Sequence, residues 1–275
     1  ASISDLAGNL ILYSDGVTIR DQAGQVRVTG LQGNVSSTQA AVVVPDPGNP
    51  KRYYVFTSDG ASGANKHVNG VLVDTSMWAS WTSAPVPVFA NVPTTGYSPT
   101  EKLCAIQHGN GQDFWVLTVV QTNPVGQPNI PVAAANGPGV LRVFLVTKTG
   151  VSWVGDQTLG QNVDDVGYLK ASPGGRRLAI VSFMLVNILV VPFSNSSGLV
   201  TLPGLSKNMT TPAPPPHNAY CPYGVEFSQN GELLYYTTIY PFPLVLSPMT
   251  DSLIFQYNLA SGARVLLGAH PRSVS

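Results

Sequence analysis

The sequence predicts an all-β fold built from a repeated unit, and three observations support this prediction. A turn followed by one or two polar residues and an apolar run occurs five times, beginning at Gly8, Pro50, Gly111, Gly175 and Gly231. Shorter stretches rich in β-branched and aromatic residues flank each run, which is typical of strands. Glycine and asparagine separate these stretches, and no segment keeps a helical period.

Each unit is predicted to contain four strands, of which the apolar run is the second. The first strands are predicted at ASISD, TQAAVVVP, KLCAIQH, GYLKAS and YGVEFS. The third strands are predicted at VTIRD, VLVDT, LRVFLVTKTG, ILVVPF and LIFQYNLASG. A weaker fourth strand closes the unit, for example at VSWVG and ARVLLG.

Four antiparallel strands repeated at intervals of roughly 40 to 65 residues are typical of the blades of a β-propeller rather than of a sandwich. A single blade cannot bury both faces of its sheet, so radial stacking of blades explains why the apolar run recurs. The predicted blades span approximately 1–35, 36–98, 99–162, 163–218 and 219–275. We expect one propeller domain or a propeller fragment.

The composition limits the classes of partner. A hydrophobic fraction of 44% suffices for a buried core, and charged residues make up only 10%, with 14 basic residues balancing 14 acidic ones. Binding to a nucleic acid needs a concentrated basic surface, so we expect no nucleic-acid partner.

The apolar segment from Leu178 to Phe193 is the one candidate for a membrane helix. It is slightly shorter than the roughly 17 to 25 residues that span a bilayer, and it contains Ser182, Asn187 and Pro192. We interpret it as two buried strands with a turn near Asn187, and we expect no direct insertion into a membrane.

Motifs for cofactors and metals are weak. No phosphate-binding loop, zinc signature or hydrolase elbow occurs, so no cofactor is predicted. Asp164 and Asp165 are weak candidates for a calcium site, but adjacent residues of an extended chain point to opposite sides, which favours a solvated turn. Cys104 and Cys221 fall in the third and fifth units, and we expect them not to be bonded to each other.

Polar residues at equivalent positions of the first strands are predicted to lie beside the central channel of the ring. If the third turn contains a one-residue gap, Gln107, Lys170 and Glu226 occupy the same place in three successive units. Charged residues in a buried strand need partners. We therefore expect Lys170 and Glu226 to pair between blades beside the channel, and a channel ligand held by the same groups is the alternative.

One end of the ring is predicted to be an interaction face. Connections between second and third strands emerge on the same side of successive blades, and several of them are apolar and proline-rich. The predicted face comprises Met184, Leu185, Val186, Tyr240, Phe242, Leu244 and Val245. Its expected partner is another protein or a neighbouring copy in an assembly. In the alternative, the loops fold over their own blades and hide these side chains.

The repeats also resemble a known family. YSDGVTIRDQAGQV, GNVSSTQAAVVVPDPGNPKRYYVFTSD, EKLCAIQHGNGQDFWVLT, GYLKASPGGRRLAI and YGVEFSQNGELLYY resemble the N-terminal propeller of large secreted Bacteroidota proteins, many of them associated with gliding motility and type IX secretion. The resemblance covers nearly the whole chain, although Ile19 stands where that family usually has tryptophan. It implies an extracellular propeller without assigned catalytic residues. It also implies roughly seven blades, which favours a fragment of a longer polypeptide over a five-bladed ring.

The predicted function is a non-catalytic scaffold for adhesion or assembly, located outside the cell or on its surface. A glycan is an alternative partner, because Trp78 and Trp81 could be exposed, although packing in an outer strand is the preferred interpretation. The other alternative is a lactonase or glycan-cleaving enzyme with its site at the channel mouth. That alternative is disfavoured because His108 is the one histidine near such a position and carboxylates are few.

Overall fold

The computed structural model describes residues 1–58, 68–78, 86–87, 97–122, 137–209, 211–212, 219–239 and 252–270. Within these ranges the regular structure consists of β-strands and one short 3-10 helix at Thr75–Met77. The strands form five antiparallel sheets that follow one another along the chain.

Each of the first three sheets is a four-stranded meander. The first contains β1 (Ser2–Ser4), β2 (Leu10–Ser14), β3 (Thr18–Asp21) and β4 (Val26–Thr29). The second contains β5 (Ala41–Asp46), β6 (Asn49–Ser58), β7 (Val68–Asp74) and β8 (Val86–Pro87). The third contains β9 (Tyr97–Gln107), β10 (Phe114–Thr122), β11 (Gly137–Thr147) and β12 (Gly150–Val163).

The last two sheets follow the same plan with one extra short strand each. The fourth contains β13 (Leu169–Ala171), β14 (Arg177–Ser182), β15 (Asn187–Ser194), β16 (Leu199–Val200) and β17 (Leu205–Asn208). Both β16 and β17 pair with β15, so together they take the fourth position. The fifth contains β18 (Thr211–Pro212), β19 (Ala219–Phe227), β20 (Leu233–Ile239), β21 (Ser252–Asn258) and β22 (Arg264–His270).

The segment from Leu178 to Phe193 forms two strands, as predicted, and the turn between them occupies 183–186, directly before Asn187. One predicted boundary needs correction. Strand β18 lies before residue 219 yet pairs with β19, so it belongs to the fifth sheet. Among the described residues, no helix is long and apolar enough to cross a membrane.

The recurring glycine follows from the turn between the first and second strands. In the last three sheets this turn is closed by equivalent backbone hydrogen bonds, from His108 to Asp113 (2.8 Å), from Ser172 to Arg177 (2.9 Å) and from Ser228 to Leu233 (2.9 Å). Gly111, Gly175 and Gly231 lie in these turns with φ of 73°, 64° and 73°. A side chain disfavours this left-handed conformation, so glycine is the residue that fits.

The hydrophobic core consists of layers between successive sheets. Four clusters of buried side chains lie between the first and second sheets, the second and third, the third and fourth, and the fourth and fifth. The layer between the third and fourth sheets includes Leu117, Leu178 and Val191, all fully buried. The second, third and fourth sheets therefore bury both of their faces.

The layered core leads to a first prediction. Leu178→Ala should lower the free energy of unfolding by about 3 kcal/mol, because it removes a buried side chain and leaves a cavity between two sheets. Leu199→Ala is the matched control on the same sheet, because Leu199 is 55% exposed, and its effect should stay within about 0.5 kcal/mol. Urea denaturation checks both, and equal effects would contradict the layered arrangement.

Candidate functional site

The end of the sheets at which the second strands finish is called the loop end here. Ser58, Thr122, Ser182 and Ile239 mark it as the last residues of β6, β10, β14 and β20. In an antiparallel meander the first strands begin at this same end. The chain segments that connect one sheet to the next therefore approach it as well.

A buried lysine lies at the loop end. The side chain of Lys102 on β9 is fully buried. Its Nζ donates hydrogen bonds to the carbonyl oxygens of Asp164 (2.8 Å) and Val166 (2.9 Å) and lies 3.7 Å from Oδ1 of Asp164. Burial lowers the pKa of Lys102, while the neighbouring carboxylates Asp164, Asp165 and Glu101 raise it. Lys102 thus attaches the third sheet to the connection that leads into the fourth.

Asp164 and Asp165 are buried, so their interpretation as a solvated turn is wrong. Oδ2 of Asp164 accepts hydrogen bonds from the backbone N–H groups of Met184 (2.6 Å) and Leu185 (3.1 Å). The local sequence could not indicate this burial because the partners are far away along the chain. Asp164 acts as an anchor for the turn at 183–186, and among the described residues no cluster of His, Cys, Asp and Glu suits a metal ion.

Burial also changes the acidity of the two carboxyl groups. It raises the pKa of Asp164, against the opposing charge of Lys102. Burial raises the pKa of Asp165 from 3.8 to about 6, opposed by Lys102 and reinforced by Asp164. A carboxyl group with this pKa titrates in mildly acidic solution.

Glu101 and Thr38 extend the network to the second and fifth sheets. Oε2 of the buried Glu101 accepts hydrogen bonds from the backbone N–H of Thr38 (2.8 Å) and from its hydroxyl. The Thr38 hydroxyl oxygen also lies 3.2 Å from the hydroxyl of Tyr223 on β19. The carboxylate of Glu101 is therefore engaged in holding sheets together.

The side chain of Gln39, which lies just before the second sheet, bonds to backbone groups of the third and fourth sheets. Its Oε1 accepts from the N–H of Leu169 (2.7 Å) and of Leu103 (3.2 Å), and its Nε2 donates to the carbonyl of Leu169 (3.0 Å). Sequence analysis did not single out Gln39, Thr38, Glu101 or Lys102. The available signals were a Glu-Lys pair at the start of a predicted first strand, in a chain with few charges, and the separate polar stretch SSTQ.

The described part of the predicted interaction face is the turn between β14 and β15. Met184 is 51% exposed there, and Leu185 and Val186 are half-buried. Val186 has a φ of 52°, which is strained for a β-branched residue. Its carbonyl accepts a hydrogen bond from the N–H of Met209 (2.9 Å). Tyr240, Phe242, Leu244 and Val245 lie outside the described residues.

A cavity of about 640 Å³ lies where the first strands converge. The ion pair predicted between Lys170 on β13 and Glu226 on β19 is present beside it, with 2.9 Å between Nζ and Oε2. Gln107 does not share their position. The turns after the three first strands have equal length, so the residue equivalent to Lys170 and Glu226 is Ile106. Gln107 is exposed and donates to the carbonyl of Gly111 (2.9 Å).

Several other candidate residues have structural partners. Trp78 is partly buried against the layer between the first two sheets, with the Arg27 guanidinium 5.8 Å from its ring centroid. Trp81 lies outside the described residues. His108 accepts a hydrogen bond from the N–H of Asn110 (3.0 Å), and its ring centroid lies 5.0 Å from that of Trp115. These contacts agree with packing and turn roles.

The two cysteines are free and buried, on β9 and β19. Burial is the main reason why the pKa of each thiol rises to about 11. Both thiols are therefore protonated at neutral pH, and neither is an activated nucleophile.

The comparisons with known proteins bear on the fold. No protein-family profile and no curated protein matches the sequence. Among solved structures, the β-propeller domain of Cps50 (Swd1) from Myceliophteria thermophila is similar with a TM-score of 0.52 at 12% identity, over 97% of this chain and 72% of that one. The fold is a β-propeller.

Two glycoside hydrolase structures are similar to the same degree. A GH43 β-1,3-galactosidase solved with galactodeoxynojirimycin matches with a TM-score of 0.52 at 11% identity, over 90% of this chain and 78% of that one. An exo-β-1,3-galactanase from Phanerochaete chrysosporium matches with a TM-score of 0.50 at 11% identity, over 95% of this chain. The present chain spans 54% of the length of that galactanase. At these identities the similarity shows the fold alone.

The raised pKa of Asp165 gives a second prediction. A carboxyl group that holds its proton more tightly when folded makes the free energy of unfolding fall as the pH rises, here from about 4 to about 6. The side chain at position 165 stays neutral in the Asp165→Asn variant. The free energy of unfolding of this variant should therefore fall less than that of the wild type as the pH rises. The variant should be more stable than the wild type at neutral pH by on the order of 1 to 3 kcal/mol.

Urea denaturation at a series of pH values checks this prediction. Asp5→Asn provides a control of opposite sign, because the hydrogen bonds of Asn9 lower the pKa of the exposed Asp5. That variant should lose stability at neutral pH and match the wild type in acid. An Asp165→Asn variant that follows the wild-type pH profile would contradict the assignment.

Proposed function

We propose that the chain is a non-catalytic, extracellular propeller that acts as a scaffold through protein–protein contacts at its loop end. The observation that carries the proposal is the anchored turn at 183–186. It exposes the apolar side chain of Met184, and the buried carboxylate of Asp164 holds its backbone. An apolar contact presented on a fixed backbone loses little entropy on binding.

The charges at the loop end support a structural role for this end of the ring. Lys102 donates to two carbonyl groups, Asp164 accepts from two N–H groups, and Glu101 accepts from Thr38. A hydrolase at this position would need carboxyl groups free to reach a substrate. The charged groups of Lys102, Asp164 and Glu101 instead make hydrogen bonds that hold neighbouring sheets and their connections together.

A neighbouring copy is the partner that the composition favours. The chain carries 14 basic and 14 acidic residues, so copies do not repel one another through net charge. The resemblance to propellers of secreted Bacteroidota proteins supports a location outside the cell or on its surface, within a larger adhesive assembly.

The scaffold proposal gives a third prediction. The double variant Met184→Ser, Leu185→Ser should weaken self-association by about tenfold, because two apolar side chains leave the contact. Sedimentation velocity from low to high micromolar concentration measures this change. The thermal unfolding midpoint should stay close to that of the wild type, since Met184 is half exposed and Leu185 is only half-buried.

Leu199→Ser is the matched control for this experiment. Leu199 is exposed to a similar extent on the same sheet, but it pairs with Ser194 at the end opposite the turn. Its self-association should equal that of the wild type. A wild-type chain that sediments as one species at every concentration, or equal losses in both variants, would refute the assembly role.

A further inference from the structure

The central cavity is a second feature that could bind a ligand, and it is separate from the turn at 183–186. It has a volume of about 640 Å³, and residues from all five sheets or their connections line it. This size lies within the roughly 300 to 1,000 Å³ that is usual for small-molecule sites.

Small side chains create this space. Ala40, Ala41, Ala105 and Ala171 line the cavity at positions on or beside three of the first strands. Larger side chains at these positions would occupy the volume where the strands converge. The first strands therefore leave room between them for a molecule of moderate size.

Most polar side chains around the cavity already have partners. Gln39 makes three hydrogen bonds to backbone groups, the Thr38 hydroxyl bonds to Glu101, and the Ser37 hydroxyl donates to the carbonyl of Ser58 (3.2 Å). Lys170 and Glu226 differ from these, because their side chains are 33% and 57% exposed. Asp15 also lines the cavity and is exposed, but its carboxylate accepts hydrogen bonds from Val17 and Thr18. The Lys170–Glu226 pair is therefore the charged group that we assign to a ligand.

The ion pair is complementary to neighbouring hydroxyl groups. An ammonium group has three donors, a carboxylate only accepts, and a hydroxyl both donates and accepts. Two adjacent hydroxyls can therefore accept from Lys170 and donate to Glu226 without breaking the pair. A ligand carboxylate would be repelled by Glu226, and a ligand ammonium would be repelled by Lys170.

Tyr168 adds an aromatic surface next to these charges. It lines the cavity, and the ammonium of Lys170 lies 5.8 Å from the centroid of its ring. The ring is held by an edge-to-face contact with Tyr223, with centroids 5.9 Å apart. A fixed aromatic ring offers an apolar contact to the C–H groups of a ligand.

We infer that the central cavity binds a neutral saccharide unit, with Lys170 and Glu226 holding adjacent hydroxyls and Tyr168 contacting the sugar ring. A neutral ligand fits because the charges of the pair cancel. The inference does not depend on the scaffold role of the loop end, because Lys170, Glu226 and Tyr168 take no part in the contacts on which that role rests.

Saturation-transfer NMR on the wild-type chain tests this inference. Glucose, galactose and mannose serve as neutral probes, and glucuronate and glucosamine serve as charged probes of the same size. At least one neutral hexose should give a saturable signal at millimolar concentration, and both charged probes should bind more weakly.

Variants of the ion pair locate the site. Glu226→Gln should weaken binding of the neutral hexose by about tenfold, because it removes a charged acceptor. Glu232→Gln changes an exposed carboxylate in the turn before β20, outside this cavity, and should bind as the wild type does. The charge exchange Lys170→Glu, Glu226→Lys keeps a pair and should retain more binding than Glu226→Gln.

The outcomes separate this inference from the scaffold proposal. The double variant Met184→Ser, Leu185→Ser should give the wild-type hexose signal. No signal from any neutral hexose, equal binding by Glu226→Gln and the wild type, or preferred binding of a charged probe would each overturn the inference. Thermal unfolding of each variant shows whether a lost signal reflects a lost fold. If Glu226→Gln does not fold, hexose binding by the charge exchange variant Lys170→Glu, Glu226→Lys supports the inference, and loss of binding by a folded charge exchange variant overturns it.

Discussion

The buried ammonium of Lys102 is the interaction on which the loop end depends. Removing a charge from water costs several kcal/mol unless hydrogen bonds and an opposite charge compensate. Here two carbonyl oxygens and the carboxylate of Asp164 provide that compensation. The same carboxylate holds the turn that exposes Met184, so a charge in the third sheet fixes a surface feature of the fourth.

Directional bonds complement the apolar layers between sheets. Hydrophobic burial drives sheets together, but it does not by itself fix how far one slides along the next. Gln39 fixes the second sheet against backbone groups of the third and fourth, and Thr38 links Glu101 with Tyr223. These bonds surround the central cavity and keep its lining in place.

The sequence predicts the repeated architecture because the information for it is local. A glycine turn and a run of apolar residues specify each pair of strands, and this pattern recurs wherever the fold needs it. The pairing of Lys170 with Glu226 was also predictable, because equivalent turns bring equivalent positions together. Gln107 was misplaced by one residue because the assumed gap in its turn does not exist.

The network at the loop end could not be predicted in this way. Lys102 contacts Asp164 across 62 residues, and Thr38 contacts Tyr223 across 185. No local pattern reports such separations. Asp164 and Asp165 therefore look in sequence like an ordinary polar turn, although tertiary packing buries both and raises their pKa values.

The environment of the two cysteines bears on how the chain could persist outside a cell. Secreted proteins meet oxidising conditions, in which accessible thiolates form disulfides or become oxidised. Cys104 and Cys221 are buried on different sheets, and each thiol has a pKa of about 11. Burial and protonation would therefore protect both free sulfhydryls from cross-linking in an oxidising medium.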